Sequence, residues 1–372
     1  MLPERRNKVN GKSYVSNTLT VHPLIYNKTL FIKGSGRRAL ELAIAEGVGG
    51  IMATMSVDTK KKVQIFQKVP ELGLLIVFVG TLILFSTFNE YFASVASLKI
   101  LLVTVVYTGI VLIGQALLMI VGELDLSVGA IASLGTITTG LMLADWNLPL
   151  PVAVLLGVGI GTFVGFLNGF ITVKIGIPAF ITTLAMLFLA RGISYVLSGG
   201  DPVYPLPQNA GDLSRPMILG FPSVVWIFLI LFMCADQFVR RSVLGRKFYL
   251  IGGNQVAARL SGIKVDKIKI GLFMLCGGLS AFAGILLMSK LQRSDPVTGL
   301  GWELSVIAAA AVGGIKLTGG GGSLTGAFIG LLFLQVILQG LVMMGLNPFL
   351  LEAVVGAVMI IAVWIATLKT KK

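Results

Sequence analysis

From residue 70 onward the chain alternates long apolar stretches with short polar punctuation. The apolar runs fall at Leu72–Phe88, Leu98–Val121, Leu126–Ala144, Pro149–Val173, Ile177–Leu197 and Pro222–Val239, then at Ile268–Met288, Trp302–Ile315, Ser323–Met344 and Pro348–Leu368. Crossing about 30 Å of hydrocarbon takes roughly 20 apolar residues in a helix. Most of these runs meet that length, and Trp302–Ile315 falls short of it. The pattern predicts an all-α polytopic membrane protein of about ten transmembrane helices, with one or more spans short or broken. Residues 1–69 carry no such run and read as a basic cytoplasmic tail. Arg37–Met55 could form a short helix there, but Glu41 and Glu46 argue against a span.

Composition sharpens this picture. Of 372 residues, 55% are hydrophobic and only 12% charged, and the mean hydropathy is +0.92. A soluble domain carries about 25% charged residues, so a membrane protein is indicated. The net charge of +14 alone would allow nucleic-acid binding, but its distribution does not. Lys and Arg cluster in the first 68 residues, in Arg240–Lys269 and in Lys369–Lys372, beside apolar spans, as the positive-inside rule expects of cytoplasmic segments. Six spans before the interior cluster and four after it place the N-terminus, that cluster and the C-terminus on one side.

The chemistry the chain can hold is limited. His22 is the only histidine and lies in the tail, which excludes a histidine-based metal or catalytic cluster. Cys234 and Cys276 both lie in apolar runs and imply no disulfide framework. There is no G-x-x-x-x-G-K-[ST] segment, so ATP hydrolysis is not expected of this chain. Gly157, Gly161 and Gly165 recur every four residues, a spacing that lets helix backbones approach closely.

Ionisable residues inside spans cost at least about 2.5–3.5 kcal/mol each and are functional candidates for that reason. Glu123 and Asp125 stand out in "MIVGELDLSVGA". Two readings are open. Glu123, Asp125 and Ser127 can start the helix that follows, accepting hydrogen bonds from its free N–H groups. Alternatively, carboxylates beside a helix break are what an ion-coupled carrier uses. Polar residues within spans, Asn168, Arg191, Gln335 and Gln339, are candidates for lining a path.

Between the sixth and seventh spans, "LGRKFYLIGGNQVAARLSGIKVDKIKIG" contains a small helix of its own. Asn254 suits the N-cap, Gln255–Ser261 makes about two turns, and Gly262 suits the left-handed residue after the helix. Val256 and Leu260 share one face, with Arg259 beside them, while Ala257 and Ala258 would let another surface approach. A helix of this length is not stable alone, so its own spans or a partner protein must support it.

Three stretches, "GELDLSVGAIASL" at 122–134, "GRKFYLIGGNQVAARLSGIKVDKIKI" at 245–270 and "GWELSVIAAAAVGGIKLTGGGGSLTGAFIG" at 301–330, resemble the permease subunits of bacterial ABC importers for monosaccharides, the ribose/xylose/galactose group with the autoinducer-2 permeases. "IPAFITTLAMLFLARGISYVLSGG" at 177–200 fits the same pattern, and the likeness covers about Leu98 to Val363. The resemblance implies a multi-pass protein of the bacterial plasma (inner) membrane, paired with a second permease copy, identical or different. It implies an ABC ATPase bound from the cytoplasm and a periplasmic or lipid-anchored solute-binding protein. ATP and magnesium would be held by the ATPase, leaving this chain without a cofactor. Gly253, Asn254, Gln255, Val256, Ala257, Ala258, Arg259, Leu260, Ser261 and Gly262 would form the coupling helix seated in the ATPase groove. An ion-coupled carrier using Glu123 and Asp125, or an ABC permease for nucleosides or branched-chain amino acids, are the alternatives. The chain departs from the family pattern at Ser305, at Gly314–Ile315–Lys316 and at Gly356, and Lys316 with Glu352 could form a compensating pair.

Overall fold

The computed structural model describes residues 71–347 and 350–370. The tail, including Arg37–Met55, lies outside them, as does the side chain of Glu352, so the Lys316–Glu352 pairing falls outside the described residues. Each apolar run is helical. In chain order these helices are α1 (Glu71–Phe88), α2 (Val95–Ile120), α3 (Val128–Ala144), α4 (Leu150–Phe170, continued by a π-helical turn at Ile171–Ile175), α5 (Ala179–Ser198) and α6 (Ser223–Arg241). The short α7 (Val243–Gly253) and α8 (Gln255–Leu260) follow, then α9 (Val265–Leu291), α10 (Trp302–Val312), α11 (Leu324–Met343) and α12 (Leu351–Thr370). Six of them, α2, α4 with its π turn, α5, α6, α9 and α11, are long and apolar enough to cross a membrane. At eleven residues α10 is too short, because it rises only about 16 Å.

Two helices form the centre. α2 is apolar on all sides and buried almost continuously from Val105 to Val121, as a helix enclosed by others must be. α9 packs on α4 most extensively, then on α3 and α2. The glycine stripe of α4 makes this contact possible. A Cβ on Gly161 would lie 2.6 Å from the Gly277 carbonyl, and one on Gly165 would lie 2.2 Å from that of Phe273. Peripheral helices turn bulky apolar side chains outward, Leu155 and Phe163 on α4, Phe188 and Val196 on α5 and Ile230 on α6, which suits a lipid environment.

The connections α5–α6 and α9–α10 differ from loops that merely join helices. Between α5 and α6 the chain forms a 3-10 turn (Gln208–Leu213) and a small hairpin, β1 (Met217–Ile218) with β2 (Phe221–Pro222). The other, between α9 and α10, runs inward along α3. Ser294 pairs with Val203, and its hydroxyl sits where a Cβ on Gly140 would be. Ser133 Oγ donates to the Pro296 carbonyl at 2.7 Å, and Gly299 packs on Gly129. The α3 stretch from Gly140 to Gly129 is about 16 Å of helix, so this segment penetrates the bundle. Its non-helical carbonyls need donors in place of water.

Candidate functional site

The polar side chains that the sequence scatters across four helices meet at one end of the bundle, where α2 stops, α3 starts and the basic segment begins. α2 ends because Gly122 takes a left-handed φ of +82°, which only glycine adopts without strain. The chain then runs irregularly through Glu123, Leu124 and Asp125 before α3.

Asp125 is completely buried. Its Oδ1 accepts from the backbone N–H of Ser127 at 2.8 Å and from the Ser127 hydroxyl, and Asn168 Nδ2 donates to its Oδ2 at 3.4 Å. Asn168 Nδ2 also donates to Ser127 Oγ at 2.8 Å. With its amide oriented to satisfy both bonds, Gln115 donates to the Asp125 carbonyl at 3.1 Å and accepts from the Asp125 N–H at 3.3 Å. This corrects the helix-start expectation in part. Ser127 precedes α3, but its side chain makes no capping bond; its φ of −88° and ψ of −2° are helical, so its hydroxyl is drawn to Asp125 and Asn168. Asp125 supplies the turn by bonding two residues ahead.

Glu123 is no cap at all. It forms an ion pair with Lys269 on α9, whose Nζ also donates to Gln255 Oε1 at 3.0 Å. The Lys269 side chain is only 7% exposed and that of Glu123 15%. Removing one partner of a fully buried pair costs about 3–5 kcal/mol, an upper bound for this part-buried one.

Gln255 is the first residue of α8. Asn254 Oδ1 accepts from the Ala257 N–H at 2.9 Å, and Gly262, just past the helix, has a φ of +79°. Val256 and Leu260 are 68% and 85% exposed. Ala258 is the exception to the outward face expected for this helix. It is 5% exposed and packs inward, because a six-residue helix must bury one side to persist. Ala257 and Ser261 remain on the open side, and Arg259 reaches Asp266, which also pairs with Lys174 at 3.1 Å. These Arg259–Asp266–Lys174 contacts are about half exposed on the basic side chains, where such pairs contribute about 0–1 kcal/mol.

Beneath α8 three backbone segments touch with no side chain between them. Gly320 N–H donates to the Ile120 carbonyl at 2.8 Å, across the end of α2. A Cβ on Gly252, next to last in α7, would lie 1.9 Å from that carbonyl and 2.4 Å from Gly320 N. Gly319 and Gly320, at φ +86° and +74°, lie against Gly122, Gly252 and Gly253. Nearby, Tyr249 OH donates to the Gly322 carbonyl at 3.1 Å, and Arg240 bridges Asp236 and Thr325. The segment that carries α8 is thereby held to the end of α2 and to the α10–α11 loop.

The residues singled out as path-lining have other contacts. Asn168 belongs to the Asp125 network. Arg191 Nη1 donates to the Pro296 and Thr298 carbonyls at 2.7 and 2.8 Å, satisfying the inward segment. Gln339 Nε2 donates to the Ser97 carbonyl and hydroxyl at 3.0 and 2.7 Å, tying α11 to α2. Gln335 is half-buried on α11. Each charged hydrogen bond of the Arg191 kind contributes about 1.5–3 kcal/mol. Arg191→Met is therefore expected to speed amide hydrogen exchange across residues 294–300 severalfold, and unchanged exchange there would refute the clamp.

Sequence reasoning missed Lys269, Gln115 and the Gly252–Gly320 contact. Lys269 follows a run of basic residues that reads as cytoplasmic, so nothing local marks it as buried. Gln115 lies within an apolar span, and its partner is a backbone ten residues on.

Comparison with known proteins supplies the family. Residues 97–363 match the family model "Branched-chain amino acid transport system / permease component". The ribose import permease protein RbsC of Escherichia coli (strain K12) is 36% identical over 285 residues, covering 75% of this chain and 88% of the relative. The L-arabinose ABC transporter permease protein AraH of Azospirillum brasilense is 31% identical over 303 residues, covering 80% and 88%. The autoinducer 2 import system permease protein LsrC of Photorhabdus luminescens is 36% identical over 249 residues, covering 67% and 75%. No solved structure matches the chain. The family model spans the whole bundle from α2 to α12, the three sequence signatures included, and the chain belongs to this family of ABC-importer permeases, membrane subunits that work with a separate ATPase and a binding protein.

Proposed function

We propose that this chain is the membrane-spanning subunit of an ATP-driven importer that takes up a monosaccharide or a similar small polar solute. An extracytoplasmic binding protein delivers the solute, and a partner ATPase binds and hydrolyses ATP with its magnesium. The names of the relatives support the solute class, since those quoted above import ribose, arabinose and autoinducer 2. In this reading the N-terminus, the α6–α9 segment and the C-terminus face the cytoplasm of a bacterial inner membrane, and a second permease, identical or different, completes the pathway.

The observation that carries the mechanism is α8. A capped two-turn helix presents two large apolar side chains to solvent while its first residue is bonded into the bundle. Burying two such side chains in a partner groove supplies the support that a helix this short lacks, at about 1.5–3 kcal/mol each. α8 is then the coupling helix, and closure of an ATPase pair would move it. An ion-coupled carrier is not favoured, because Glu123 is paired with Lys269 and Asp125 is enclosed by Ser127 and Asn168.

Leu260→Glu is the direct test. Placing a charge on an anchor at the centre of an interface is expected to lower capture of the co-expressed cognate ATPase by about tenfold or more. Leu260 is exposed, so the chain itself should fold as before. Undiminished capture would refute the docking role of α8.

A further inference from the structure

Resting on the importer reading, we propose that Lys269 is the positioning residue that ties the movement of the coupling helix to the α2–α3 break. Three observations support it. First, the hydrogen bonds that the Nζ of Lys269 donates among the described residues go to two elements: Gln255, the first residue of α8, and Glu123, the residue after the left-handed Gly122. Second, the Lys269 side chain is only 7% exposed, so in the folded chain its ammonium is held by these two acceptors with little water around it. Because one little-exposed ammonium holds both acceptors, a displacement of Gln255 is passed through Nζ to Glu123. Third, Glu123 is followed within two residues by Asp125, whose carboxylate reaches Ser127 at the start of α3 and Asn168 on α4. A shift of Glu123 is thereby delivered to two helices of the bundle, α3 and α4.

The other ionic route from α8, Arg259–Asp266–Lys174, lacks this property. Its basic side chains are about half exposed, and water can replace either partner when α8 moves. The Gly252–Gly320 contact holds the segment in place but contains no group that can exchange partners.

The experiment uses the complete complex, with its ATPase and binding protein, reconstituted in liposomes, and measures solute imported per ATP hydrolysed. Lys269→Met is expected to leave the ATPase co-purifying with the permease and to lower solute per ATP by at least about fivefold, the lower end of ordinary allosteric coupling. Lys269→Arg, which keeps the cation, should regain most of the ratio. Gln255→Leu, on an exposed residue that does not threaten folding, should lower the ratio by less, and the double variant should be no worse than Lys269→Met alone. A merely structural lysine would change the yield of folded complex and leave solute per ATP untouched in whatever complex forms. A wild-type ratio in Lys269→Met, or in Gln255→Leu should the first variant not assemble, overturns the proposal. Failure of the unmodified chain to capture any ATPase instead overturns the importer reading itself.

Discussion

Gly252→Ala is expected to abolish uptake and to lower the thermal midpoint of the purified chain by several degrees, while Gly253→Ala leaves both nearly unchanged. The two glycines are neighbours at the end of α7, and their sequence context is the same. Their surroundings are opposite. A methyl at position 252 would lie 1.9 Å from the Ile120 carbonyl oxygen and 2.4 Å from Gly320 N, whereas one at position 253 meets nothing within 4 Å. Neither obstacle at 252 is the end of a flexible side chain. Both are backbone atoms joined by the Gly320–Ile120 hydrogen bond, so the helix ends must separate. Overpacking costs about 1–3 kcal/mol even where side chains can adjust, and here none can. Because the displaced contact holds the coupling segment, uptake should fail before the fold does. Detergent thermal denaturation and liposome uptake on the two variants decide the matter. Equal behaviour of the pair would show that the three backbones are not in contact.

Asp125→Ala is expected to destabilise the chain by roughly 3 kcal/mol, with Asp125→Asn costing less. In the alanine variant the Ser127 N–H and hydroxyl, both fully buried, lose their acceptor, and the Asn168 amide loses one of its two. Asparagine keeps one oxygen for Ser127 but turns an NH2 group toward the Asn168 donor, so it recovers only part of the network. Thermal denaturation measures the order, and an alanine variant within about 0.5 kcal/mol of the wild type, the range of ordinary surface changes, would refute it. The same variants address the carrier alternative. Uptake by the complex is expected to ignore an imposed proton or sodium gradient in wild type and Asp125→Asn alike.

Much of this architecture is legible along the chain. Hydrocarbon imposes a length and a composition on whatever crosses it, so the apolar runs mark the helices directly. The i, i+4 glycines of α4 announce a close helix contact before its partner in α9 is known. Asn254 and Gly262 bracket α8 because capping is a property of adjacent residues. The basic clusters and the break at Gly122 place the coupling segment and the carboxylates at one end of the bundle.

What a contact does is another matter. Asp125 can be read along the chain as a cap or as an ion ligand, since either needs only a carboxylate beside a helix start. Its role follows from Asn168, 43 positions away. The inward course of the segment from Ser294 to Gly299 is hidden because its proline and glycine suit a surface turn as well as a buried one. Arg191, an expensive charge within a span, finds its partners only in the folded chain, in the two carbonyls of that segment and the Glu303 carboxylate. Local physics, set by neighbours along the chain, thus determined the helices and the capping of α8. The Lys269–Glu123 pair, 146 positions apart, and the glycine contact of Gly252 with Gly320 were decided by the tertiary structure alone, because a buried charge or a missing Cβ has meaning only once the atoms opposite it are in place.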